Sequence, residues 1–184
     1  MRVGGVVPLR FRGVAALMCL GFVVAGCSEP DTDIRVRNPT GGVQTALPVQ
    51  VTRVIDGDTL QVQMPNDNER RVRVIGIDTP EVSHPPDQNE AECFGPEAAE
   101  MTTALAGGQV VRLESDPVAG EEDRYGRLLA HVWLPDGSLL SRRLLAAGAA
   151  REYTYQGQDY LYRNEFRSDE SDARAAGQGL WGRC

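Results

Sequence analysis

Two acidic stretches carry the residues best suited to chemistry. Asp56-Gly57-Asp58-Thr59 and Asp78-Thr79-Pro80-Glu81 stand on either side of Arg73. Four carboxylates brought to one place repel one another unless a cation joins them, and hard oxygen donors of this kind suit calcium or magnesium. A guanidinium beside such a cation suits a phosphodiester, whose oxygens gain charge in the transition state. The plainer alternative is a polar hairpin with a solvated salt bridge, because Asp-Gly is also a common turn dipeptide.

The elements that position these residues follow from periodicity. Leu60, Val62 and Met64, then Val72 and Val74, alternate on either side of Pro65-Asn66-Asp67-Asn68, which predicts a β-hairpin. A shared apolar face pairs Leu60 with Val74 and Val62 with Val72, placing Asp58 opposite Gly76. Asp78 then emerges at the same sheet end as Asp58. Arg73 has the opposite parity to its valine neighbours, so an ideal strand sends it to the other face, and Gly76 is read as a bulge that re-aims it.

Beyond the hairpin, Val82 to Glu92 reads as a polar loop containing His84-Pro85-Pro86. Pro96 in a first turn opens a helix that ends near Ala106 at Gly107-Gly108. Val110–Leu113 and Leu128–Leu134 read as strands flanking an acidic loop, Ser115 to Asp123. Leu139–Ala147 reads as a helix stopped by Gly148. A last strand is expected over Ala150–Tyr155. A charged helix is expected over Gln158–Ala176, with Leu161, Phe166 and Ala173 turned towards the sheet, and Leu180-Trp181 packing behind it. His84, in a proline-rich loop, and His131, in a strand, read as ordinary residues rather than metal ligands.

Ile55-Asp56-Gly57-Asp58-Thr59, the run Arg73 to Glu81, and Asp123-Arg124-Tyr125-Gly126-Arg127 together resemble the staphylococcal nuclease family in order and spacing. The resemblance spans roughly Pro48 to Gly182. It implies an α+β fold, an OB-type five-stranded β-barrel with three packed helices. It also implies a calcium-dependent endonuclease that hydrolyses DNA and RNA to products with 3′-phosphates. In that scheme Asp58 and Asp78 bind calcium through carboxylates and Thr79 through its backbone carbonyl. Glu81 activates the attacking water, and Arg73 and Arg127 contact the phosphate. Arg124, Tyr125 and Tyr155 are candidate substrate contacts, although the spacing after Gly148 departs from the family pattern by about a residue. A rival reading is a non-catalytic OB-type module that binds nucleic acid or protein; such modules usually lose the carboxylates or arginines that are all present here.

The start of the chain has a separate logic. Arg2, Arg10 and Arg12 precede an apolar run from Val14 to Ala25, the outline of a secretory signal peptide, too short for a comfortable membrane span. It ends Val24-Ala25-Gly26-Cys27, which resembles a bacterial lipobox whose cysteine is acylated. The expected organisation is a signal peptide over 1–26, a lipidated Cys27 with a flexible tether over 27–47, and a monomeric domain over 48–184 held extracytoplasmically at a membrane. With Cys19 removed and Cys27 acylated, Cys93 and Cys184 remain in an oxidising compartment and are expected to pair.

The net charge of −7 includes the three leader arginines, so the mature chain stands at about −10, with arginine as its only basic residue type. This argues against nucleic-acid binding through a broad basic field. A local patch drawn from Arg53, Arg70, Arg71, Arg73, Arg124 and Arg127 escapes that objection, because screening confines each charge to about 8 Å at physiological salt.

Overall fold

The computed structural model describes residues 35–37, 43–83 and 90–184, so Cys27, the leader and His84 lie outside the described residues. The strands are β1 (Arg35–Arg37), β2 (Val43–Thr45), β3 (Leu47–Asp56), β4 (Thr59–Gln63), β5 (Glu69–Val74), β6 (Ile77–Asp78), β7 (Val110–Glu114), β8 (Leu128–Trp133) and β9 (Arg151–Glu152). The helices are α1 (Gly95–Ala106), α2 (Leu140–Ala146), α3 (Arg163–Ala175) and the short α4 (Leu180–Arg183).

Alternating apolar residues close five of the strands into a barrel. Val49 and Val51, Leu60 and Val62, Val72 and Val74, Val111 and Leu113, and Ala130 and Val132 are all buried in one cluster. Each valine or leucine is worth about 1.5–3 kcal/mol when fully removed from water, which strongly favours this register over one shifted by a single residue. The barrel order is β3-β4-β5-β8-β7, with β7 returning to β3. All pairings are antiparallel except β5 with β8. Outside the barrel, β6 pairs with β9 and β1 with β2. The fold is therefore the expected α+β, OB-type five-stranded barrel with three main helices. Cys93, just before α1, is bonded to Cys184 at the chain's end. Among the described residues no helix is long and apolar enough to cross a membrane.

Several local expectations are corrected. In the hairpin, Leu60 pairs with Val72 and Val62 with Arg70, two residues from the expected register. The turn explains the shift: Asp67 N–H returns to the Met64 carbonyl and Asp67 takes φ 62, so the strands part earlier than the polar tetrapeptide suggests. A two-residue slip preserves parity, so Asp58 still reaches Asp78, now opposite Val74 rather than Gly76. The last strand is only Arg151–Glu152, and Tyr155 lies in a 3-10 turn. The charged helix begins at Arg163 rather than Gln158, because Tyr162 is left-handed (φ 67) and Asp116 takes the Leu161 N–H. The segment expected to be an unpacked tether contains β1 and β2.

Candidate active site

The turn from β3 into β4 brings two carboxylates almost out of water. Gly57 is required there, since a Cβ would meet the Thr79 side chain at 2.7 Å. Asp56 and Asp58 are 8% and 5% exposed. Asp58 N–H donates to Asp56 Oδ1 at 3.1 Å. Asp58 itself accepts from the Thr59 hydroxyl at 3.0 Å and the Thr79 N–H at 3.0 Å. The Thr79 contact ties the β6 end to the β4 start.

Arg73 spans the gap between the two acidic stretches. Its Nη1 lies 2.7 Å from Asp58 Oδ2 and its Nη2 lies 2.9 Å from Asp78 Oδ1. Nη1 also donates to the Ile77 carbonyl at 2.8 Å. The parity conflict is resolved without a bulge at Gly76. Arg73 pairs with Thr59 on the outer barrel face, and Asp58 precedes β4 in the turn, where strand parity no longer governs it. Gly76 instead makes a turn at φ 81, with the Tyr160 and Phe166 rings packed where a Cβ would stand.

Burial pushes the Asp58 carboxyl up to about 7; the Arg73 charge pulls it down and the neighbouring Asp56 charge adds to the rise. Glu81 is raised too, first by burial and then by the Asp56 and Asp78 charges, against the pull of Arg73. One guanidinium thus offsets only part of the negative charge gathered here. Glu81 is set by the start of α1: Gly95 comes so close to the Glu81 carbonyl that no side chain would fit, and Glu92 N–H donates to that carbonyl at 2.9 Å.

Arg127 enters from the loop before β8. Asp123 Oδ1 accepts from the backbone N–H groups of Tyr125 and Arg127, and its Oδ2 accepts from Arg127 Nε at 2.7 Å. Burial alone would raise the Asp123 carboxyl, but these donors hold it below its usual range. The remaining Arg127 Nη1 points to the Thr59 hydroxyl, at 3.4 Å. Asp123 is thus a positioning residue for Arg127, a role that motif and periodicity do not assign to it. Its i,i+4 spacing to Arg127 is the signal that could have done so.

Arg73, Asp78 and Arg127 open onto a cleft of about 550 Å³, lined also by Arg124, Tyr125, Tyr153 and Tyr155. Tyr125 is 59% exposed, with the Arg124 guanidinium 4.7 Å and that of Arg127 5.5 Å from its ring centre. The structure therefore brings Asp58, Asp78, Thr79, Arg73 and Arg127 to one centre, with Glu81 at its edge, and sets Arg124, Tyr125 and Tyr155 along the cleft.

A family model described as staphylococcal nuclease homologue matches residues 71–183. The thermonuclease of Staphylococcus hyicus is 36% identical over 132 residues, covering 72% of this chain and 74% of that protein. The thermonuclease of Staphylococcus intermedius is 37% identical over 133 residues, 72% of this chain and 75% of that one. Endonuclease YncB of Bacillus subtilis is 34% identical, with 72% of this chain and 61% of the relative covered. The chain belongs to the staphylococcal nuclease family.

For a member of the staphylococcal nuclease family the donor set at this centre fits a hard divalent cation. Buried carboxylates exceed the positive charge supplied by Arg73, and burial with the Asp56 charge raises Asp58 in spite of it. Among the described residues no three carboxylate, imidazole or thiolate side chains are grouped to hold a metal. A cation here would take two carboxylates, those of Asp58 and Asp78, with the Thr79 backbone carbonyl and water.

Proposed function

We propose that the chain is a calcium-dependent endonuclease that hydrolyses phosphodiester bonds of DNA and RNA, leaving 3′-phosphates. The observation that carries this reading is Arg73 bridging Asp58 and Asp78 at the mouth of a cleft that also receives Arg127. Asp58, Asp78 and the Thr79 carbonyl would hold the calcium, which would supply Lewis acidity at the phosphoryl oxygen. Glu81, its carboxyl raised by burial and by the Asp56 and Asp78 charges, orients a water and takes its proton. Arg73 and Arg127 donate to the equatorial oxygens as charge grows on them. Arg124, Tyr125 and Tyr155 receive the adjoining nucleotide, a base stacking on a tyrosine ring. The relatives named thermonuclease and endonuclease support the same reaction class.

The test is release of acid-soluble nucleotide from single-stranded DNA with calcium, magnesium or chelator. Calcium-supported release is expected. A protein that binds the strand and never cuts it would instead be the non-catalytic module. We further propose that Cys27 carries lipid and holds a monomeric enzyme on the extracytoplasmic side of a membrane. The support is the lipobox-like Val24-Ala25-Gly26-Cys27 after an apolar run. Cys27→Ala should abolish membrane fractionation, and equal partition of both proteins into the soluble fraction would refute the anchor.

A further inference from the structure

Half of the sixteen described arginines face a carboxylate. Arg70, Arg73, Arg127, Arg142, Arg143, Arg163, Arg167 and Arg183 all stand in ion pairs. The side chains of Arg53 and Arg71 make no ion pair or hydrogen bond among the described residues, and both residues are exposed. In a chain of net charge −7, exposed arginines without an acidic partner are the groups best placed to hold a polyanion.

The register places this pair on one surface. Arg53 of β3 stands opposite Gln61 of β4, and Gln61 stands opposite Arg71 of β5. Directly opposed residues of antiparallel strands share a face, so the three form a row across the outside of the barrel. Arg53 reaches that face only because of an irregularity in β3. Val49 and Val51 point inwards, and simple alternation would send Arg53 inwards too. A register shift between Val51 and Arg53 turns it out. Arg71 lies two residues before Arg73 on β5, on the same outer face. Glu69 follows at the far end, its carboxylate taken by Gln61 Nε2, and closes the row on the side away from the centre.

We infer that Arg71 and Arg53 extend the active site into a track for a single nucleic-acid strand, contacting two phosphates that flank the scissile one. The inference rests on the nuclease reading of the Arg73 centre and adds the strand length that it recognises. Strand spacing of about 4.8 Å and about 6.6 Å between alternate residues along β5 set Arg53 about 10 Å from Arg71, and Arg71 within about 7 Å of Arg73, backbone to backbone. Neighbouring guanidiniums on the row therefore act within about one screening length of each other through their long side chains. The flanking strand is held by backbone charge, so the track is indifferent to base sequence.

The experiment measures binding of fluorescent single-stranded DNA, a dinucleotide and a 16-mer, by anisotropy across a salt series in calcium. The proteins are wild type, the double variant Arg53→Gln/Arg71→Gln and the control Arg142→Gln. At about 0.7 per phosphate contact in single strands, the wild-type slope of log K against log salt should be steeper for the 16-mer by about 1.4. The double variant should lose that excess, and about sevenfold in its affinity ratio between 200 and 50 mM salt, on the same scale. The Arg142→Gln control should keep the full slope. A double variant with the wild-type slope overturns the track, and so does a wild type whose slope does not grow with length. Cleavage recorded in parallel separates the two readings: a wild type that binds with the expected slope and does not cut keeps the track and removes the nuclease.

Discussion

Two regions of this molecule each take a carboxylate almost out of contact with solvent and treat it in opposite ways. Asp58 is 5% exposed and pushed up to about 7; Asp116 is 4% exposed and held down to about 2. Burial raises both. Asp116 then receives the N–H groups of Val118, Ala119 and Leu161 and the His131 ring. Those four donors outweigh the loss of water. Nearby, Glu114 accepts from Trp133 Nε1 and the Tyr162 hydroxyl, so the whole knot behind the cleft is well supplied with donors. Asp58 has the Arg73 guanidinium, the Thr59 hydroxyl and the Thr79 N–H, but a second carboxylate, Asp56, stands beside it. A buried acid given enough donors is structure. A buried acid left short of positive charge is a place for a cation or a reaction.

The largest effect that separates the two regions should come from Arg73. Arg73→Lys keeps the charge and loses the fork that spans Asp58 and Asp78, so cleavage should fall by roughly 10²–10³ with little change in the melting curve. Steady-state rates alongside thermal unfolding would measure both, and undiminished cleavage would break the contrast on its catalytic side. On the structural side, Asp116→Ala strands several buried donors and should cost roughly 3 kcal/mol of stability, read from denaturant midpoints. The fraction that remains folded should still cleave. A stable but inactive Asp116→Ala would place that knot in the chemistry.

The acid limb sharpens the same point with a smaller effect. Asp116 is depressed in the folded state, so its contribution is complete above its ordinary value of 3.8 and is lost as pH falls through about 2. It should supply about 2 kcal/mol of stability that disappears between those limits. Asp116→Asn should flatten the unfolding profile over that window, and an unchanged profile would contradict the assignment. The smallest shift belongs to Asp58→Asn, which removes a poorly supplied charge. Its stability should stay within about 1 kcal/mol of wild type while calcium affinity, followed by titration calorimetry, drops.

Much of this architecture is legible in the order of the residues. The valine and leucine alternations on β4 and β5 predict the hairpin, and its parity brings Asp58 to Asp78 even with the register two residues out. Pro96 and Gly107 bound α1 as expected. What periodicity misses is set by long-range partners. The start of α3 depends on Asp116 taking the Leu161 N–H across 45 residues, which no local pattern announces. The outward turn of Arg53 depends on a pairing shift with β4, and periodicity alone would bury it. Arg73 reaches Asp58 through a turn rather than a strand, so parity is the wrong rule to apply there. His131 has the pattern of an ordinary strand residue and is fully buried against Asp116.

The central claim is that the under-neutralised hairpin end performs the reaction and that Glu81 handles the water. The direct measurement is single-turnover cleavage of single-stranded DNA by wild type and Glu81→Gln at saturating calcium, with strand affinity measured in the same samples. The predicted result is a rate lower by roughly 10²–10⁴ with affinity held within a few-fold, since only proton transfer is removed. A Glu81→Gln protein that cuts as fast as wild type would contradict the account.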